Sequence, residues 1–172
     1  MSLQRDQRGH ASAKKSQSED VILFDVGEMR FAIAARDVDE IRNMEGIADR
    51  AIGLDRRVAK VKSTLSRTKG ASEQTFYVVD SSAHFHVKSA SPTRLLVLRD
   101  HPVAVLADAI DRMRQISILH ALPRAYQGAE RKWYRGLAVL DGRVIPMVEP
   151  GSFLSAEELH LLAANKVQAV TA

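Results

Sequence analysis

Short apolar runs punctuate this chain from Val21 onward, with polar and turn-forming residues between them. The first is Val21-Ile22-Leu23-Phe24-Asp25-Val26. Gly27-Glu28 follows, and Met29-Arg30-Phe31-Ala32-Ile33-Ala34 then alternates, with Met29, Phe31 and Ile33 on one face. Two β-prone runs around a glycine-containing turn predict a hairpin. Thr75 to Asp80 predicts a further strand. Arg94 to Arg99 is almost wholly apolar and predicts a strand buried on both faces. Asp100-His101-Pro102 turns the chain, and Val103 to Ala107 returns as the second half of another hairpin. Tyr134–Leu140 and Arg143–Val148 flank Asp141-Gly142, the strongest short-range hairpin signal, because both central residues need positive φ. Pro146 has no N–H for the ladder and predicts an edge strand or a bulge.

Helical spacing is rarer. Val38 and Ile41 stand three apart between charges, predicting one or two helical turns over 35–43. Ile110, Met113 and Ile116 repeat that spacing, which suits a helix or an irregular extended piece. Ser155-Ala156-Glu157-Glu158 is a capping box, with Leu154 and Leu159 at staple positions, and predicts a helix from about Ala156 to Lys166. Three hairpins and few helices define an all-β fold of barrel type with helical decoration.

Residues 1–18 are rich in Gln, Ser, Lys and Arg and are expected to be a flexible tail. The folded domain is expected over 19–166, with a second tail at 167–172. Residues 45–74 interrupt the β pattern. Leu54, Val58, Val61 and Leu65 fall on one helical face opposite a basic one, while Gly53 and Gly70 disfavour a continuous helix. The segment reads as a partly mobile loop or as a basic amphipathic helix for a partner or anionic surface.

A length of 172 residues suits one domain with its own core. The absence of cysteine excludes disulfides, thiol catalysis and cysteine-bound zinc, and suits a reducing compartment. The first twenty residues lack the apolar stretch that export requires, and no run approaches the ~20 residues of a membrane span. The expectation is a cytoplasmic protein without membrane insertion. The net charge of +4 is concentrated in residues 1–18 and 50–70, which leaves the remainder acidic. The basic 50–70 stretch contains no aromatic residue on which bases could stack, so no nucleic-acid partner is expected.

Catalytic signatures are equally sparse. No Walker A pattern, dinucleotide fingerprint or Gly-x-Ser-x-Gly elbow occurs. His84-Phe85-His86 would place both imidazoles on one face of a strand, but a catalytic zinc needs a third protein ligand. Asp80, His101, Asp108 and His120 are the nearest sources, and a metal-dependent enzyme centred on His84 and His86 is the rival reading. Asp80, Ser81 and Ser82 beside His84 do not make a triad, which folds assemble from distant segments. Asp37, Asp39 and Glu40 suit a solvated or partner-contacting face better than acid–base work. Trp133 and Tyr134, among Arg131, Lys132 and Arg135, suit an interface anchor or a core edge. No enzyme activity and no cofactor are expected.

The order of segments resembles the CheW-like family of bacterial chemotaxis coupling proteins. Leu23 to Ile33 is similar to its opening hairpin, and Val38-Asp39-Glu40-Ile41-Arg42 to its Val-x-Glu-Ile segment. Arg94–Leu98 with Val105–Asp108 resembles the hairpin that ends in Val-Asp-x-Val. Tyr134 to Val148 is like the closing hairpin before the terminal helix. Before Phe76–Asp80, where the family carries Gly-x-x-Asn-Leu-Arg-Gly, this chain has its basic segment instead, and Glu149 replaces a usual Asp. The resemblance implies a divergent member with two intertwined SH3-like barrels around a shared groove. It implies a non-enzymatic adaptor that joins a chemoreceptor's cytoplasmic tip to the regulatory domain of a CheA-like histidine kinase. Carried over by position, Val38, Glu40 and Ile41 would form a partner surface on the first barrel. Val105 and Asp108 would lie near the groove on the second.

Overall fold

The computed structural model describes residues 18–44, 58–64, 73–88 and 91–164. The expected tails, and Leu54 and Leu65 of the basic segment, lie outside the described residues.

β1 (Glu19–Val26) and β2 (Met29–Ala34) form the first hairpin, turning at Gly27 with φ of 60°. A 3₁₀ turn over Ala35–Asp37 leads into β3 (Val38–Asn43), so the segment read as helical is chiefly extended. β4 (Val58–Thr64) and β5 (Glu73–Val79) pair antiparallel. Val58 and Val61 thus belong to a strand rather than to a loop or an amphipathic helix. α1 (Ser81–Phe85) follows, then the β6 (Arg94–Leu98) and β7 (Val103–Ala107) hairpin. β8 (Ala109–Ile116) is extended, and β9 (Leu119–His120) is short. β10 (Tyr134–Leu140) and β11 (Arg143–Val148) turn at Asp141 and Gly142, both at positive φ as the Asp-Gly signal requires. α2 (Ala156–Ala164) begins with the expected capping box: Ser155 Oγ accepts the Glu158 N–H at 3.1 Å, and Glu158 Oε2 accepts the Ser155 N–H at 2.8 Å.

The strands divide into two sheets. One runs β8-β1-β2-β11-β10-β9 and the other β3-β6-β7-β5-β4. The second sheet is built entirely from residues between β2 and β8, so it is an insertion within the first. β11 is an interior strand, contrary to the edge position expected from Pro146. Counting from the two-residue turn, Pro146 falls in a non-hydrogen-bonded pair with Leu137. Its missing donor therefore faces β2, where β11 is paired only through Met147 and Ala32.

Strand alternation sorts the side chains into three cores. Val21, Leu23, Ala32, Ala34, Ala138, Ile145 and Met147 fill the interior of the first barrel. Phe76, Val78, Leu95, Val97 and Ala104 fill the second. The opposite faces of the same strands meet between the barrels, where Phe24, Phe31, Ile33, Tyr77, Val79, Leu96, Leu98, Val103 and Val105 pack together with Phe85 and Phe153. β6 is almost wholly apolar because each of its faces serves a different core. At ~25 cal/mol per Å² of apolar surface, this shared layer is a principal stabiliser of the pair.

Candidate functional site

β3 is where the shared core meets solvent. Its pairing with β6 shifts between Val38 and Glu40, which leaves one extra residue on β3. Val38 then lies opposite Leu98, and Ile41 opposite Leu96. Both partners belong to the shared core, and directly opposed residues share a sheet face. Val38 and Ile41 therefore face the same way despite a spacing of three. Val38 is 6% exposed and a member of that core, whereas Ile41 is 45% exposed at its rim. On the other face of β3, Arg42 Nη2 and Glu40 Oε2 pair at 2.8 Å.

β8 repeats the device. Its register with β1 carries an extra residue between Met113, opposite Ile22, and Ile110, opposite Phe24. Ile110 packs against the shared core, and Met113 is 61% exposed on the same face. Each sheet thus ends in an edge strand that turns one exposed aliphatic side chain outward beside the shared layer. Such rims suit protein contact: apolar anchors next to a polar border are how interfaces are built. A smaller exposed pair, Val139 opposite Val144, lies towards the tip of the β10–β11 hairpin.

The other residues expected at a partner surface are placed differently. Val105 is buried, opposite Leu96 and beside Val79, and offers no surface. Burial likewise removes Val38 from the exposed set. β3 and β7 belong to the same sheet, so Val38, Glu40, Ile41 and Val105 are not divided between the two barrels. Asp108 is the single residue between β7 and β8, and its Oδ2 accepts the Gly27 N–H at 2.6 Å.

The residues considered for chemistry have structural work. Asp80 is the N-cap of α1, accepting from the Ser82 N–H at 2.9 Å and the Ser82 hydroxyl at 2.7 Å. The Ser81 hydroxyl donates to the Leu106 carbonyl. His84 sits in the helix at 2% exposure, with ring centroids 4.8 Å from Trp133 and 5.0 Å from Phe153. His86 closes the helix in a left-handed conformation at φ 56°. The two imidazoles are therefore not neighbours on a strand face, the arrangement from which the metal reading started. Among the described residues, no three His, Cys, Asp or Glu side chains converge as a metal site. Asp37, Asp39 and Glu40 each lie within 4 Å of an arginine nitrogen, from Arg36, Arg99 and Arg42 respectively. Trp133 is a core-edge residue against the shared layer.

Tyr134 stacks in line with Phe85 and Phe31, at 6.0 Å and 6.5 Å. Burial, helped by Tyr126 and Glu130, pushes its hydroxyl up to about 12. Between pH ~10 and ~12 the unfolded chain ionises this tyrosine while the folded one keeps it neutral, so stability falls as pH rises through that window. Urea midpoints of wild type and Tyr134→Phe should therefore converge, or cross in favour of the variant, on going from pH 9 to pH ~11.5. A difference that stays constant with pH would contradict the burial of this hydroxyl.

Two interleaved barrels sharing a central apolar layer, with β-edge rims and a short terminal helix, define the class of fold. Residues 20–158 match the CheW-like domain, and the chain belongs to that family. It is 28% identical over 146 residues to the "Chemotaxis protein CheW" of Rhizobium meliloti (strain 1021), covering 81% of this chain and 89% of that protein. The fold is similar to that of the scaffolding protein TtCheW from Thermoanaerobacter tengcongensis, with a TM-score of 0.63 at 13% identity, over 83% of this chain and 91% of that one. No helix among the described residues is long and apolar enough to cross a membrane. Although the Asn-Leu-Arg-Gly element is missing from the sequence, a strand, β4, still pairs along the full length of β5.

Proposed function

We propose that this chain is a non-enzymatic chemotaxis adaptor, which couples a chemoreceptor-type sensor to a histidine kinase by protein contact in the cytoplasm. Support comes from the family match, which spans both barrels, and from its curated relative. The observation that carries the reading is Ile41, an aliphatic side chain held at the open rim of the shared core by a bulge. Binding there gains from apolar burial at ~25 cal/mol per Å². The Glu40–Arg42 pair, on the opposite face of the same edge strand, acts on orientation and association rate more than on affinity.

Calorimetric titration of Ile41→Asp against the kinase regulatory domain and the receptor tip tests this. At least one partner is expected to bind ~10-fold more weakly, equivalent to ~1.4 kcal/mol, with the melting temperature of the variant little changed. Undiminished binding of both partners would move the surface away from β3. A wild type that binds neither would leave a CheW-like interaction module serving a system other than chemotaxis.

A further inference from the structure

The chain passes between the two sheets at two short crossings. The first is the 3₁₀ turn over Ala35–Asp37, where Arg36 pairs with Glu19 at 2.9 Å and the Asp37 carbonyl accepts the Arg99 N–H at 2.8 Å. The second is narrower, because one residue, Asp108, separates β7 of one sheet from β8 of the other. On the side of the first sheet, its N–H donates to the Asp25 carbonyl at 2.9 Å, and its Oδ2 accepts the Gly27 N–H at 2.6 Å. On the side of the second, its carbonyl accepts the Thr93 hydroxyl at 2.7 Å, and Thr93 N–H donates to the neighbouring Ala107 carbonyl at 3.0 Å. Backbone and side chain of one residue thus grip both barrels at the point where a freely rotating link would let them swing. The Gly27 turn has φ of 60°, so its N–H orientation is set by a conformation that few other residues adopt, and the carboxylate meets it there.

We infer that Asp108 is a positioning residue that fixes the angle between the two barrels, and with it the geometry of the docking face they share. The consequence for docking rests on the adaptor reading; the angle itself does not. Asn at this position keeps an acceptor for the Gly27 N–H, whereas Ala removes it.

Residual dipolar couplings of backbone amides, fitted separately for the two sheets, measure the angle without any partner. Wild type and Asp108→Asn should fit one common alignment tensor. Asp108→Ala should lose that common tensor and bind the kinase regulatory domain or receptor tip ~10-fold more weakly, a change of ~1.4 kcal/mol. A single wild-type tensor in Asp108→Ala overturns the inference, and a changed angle with unchanged affinity overturns its consequence for docking. If Asp108→Ala fails to fold, Thr93→Val decides by the same couplings, since it cuts the exposed tie to the second sheet alone. Retention of one tensor there again overturns the inference. Wild type that binds neither partner removes the adaptor reading, while the couplings still decide whether Asp108 holds the angle.

Discussion

Phe31→Ala is expected to remove about 3–5 kcal/mol of stability, the usual cost of deleting a large buried aromatic. Phe31 is fully buried in the layer between the barrels. Its ring stacks on Phe24 at 5.6 Å and on Phe85 at 4.3 Å, joining β1, β2 and α1. The cavity opens where both barrels meet, so neither can collapse into it without moving the other. At ~2–4 °C per kcal/mol for a protein of this size, the melting temperature should fall by roughly 6–20 °C. Urea unfolding should remain one transition with an unchanged slope, because the lost contacts belong to both barrels. Two separate transitions would show that the barrels are independently stable and that the shared layer is dispensable.

Val38→Asp is expected to cost about as much, roughly 3–5 kcal/mol, by leaving a buried charge without a designed partner. Val38 lies opposite Leu98 in the shared core. The nearby Arg99 donates to the Val38 carbonyl at 3.2 Å and approaches Asp39 at 3.7 Å, so its guanidinium is already engaged. Ile41→Asp, three residues on, places its carboxylate in solvent and should shift stability by no more than about 0.5 kcal/mol. Thermal and urea unfolding followed by circular dichroism separate the two: Val38→Asp should unfold well below wild type and Ile41→Asp close to it. Similar destabilisation of both variants would mean that the β3 bulge does not divide them. The distinction also governs binding studies, since loss of partner binding by Val38→Asp would report unfolding rather than a contact.

The hairpins were legible because their signals are local. Gly27, Asp141 and Gly142 announce turns by backbone requirement, and Ser155 with Glu158 announces a helix start by reciprocal hydrogen bonding. In β3 and β8 a bulge imitates helical spacing, so β3 reads as helical turns and β8 as either a helix or an irregular extended piece. An extra residue in a strand lets side chains three apart share a face, and a spacing of three is also the helical signature. For Val38 and Ile41 the sequence therefore gives the right face and the wrong element. Which of the two is exposed depends on how far the other barrel reaches over β3, and no local pattern encodes that. His84 falls in a helix rather than on a strand because Asp80, which ends an apolar run, is the N-cap that starts α1. Asp108 could be recognised by resemblance, but its grip on Gly27 spans 81 residues of sequence and appears only once the chain has folded.

The nesting of one sheet inside the other has a consequence for how the protein is made. β1 must pair with β8, Glu19 finding Ile116, across the whole of the intervening barrel. Pairings that close such long loops form slowly, and the β1–β2 hairpin emerges from the ribosome long before its other neighbours exist. The inner barrel, whose strands are all synthesised by Ala107, can be complete while the outer one is still half made. During that interval the newborn hairpin can cover Phe24 and Phe31 against the inner barrel but still exposes Val21, Leu23 and Ala32, whose partners Ile116, Ala138, Ile145 and Met147 come later, which makes the time between synthesis of β7 and β11 a period of need for chaperones.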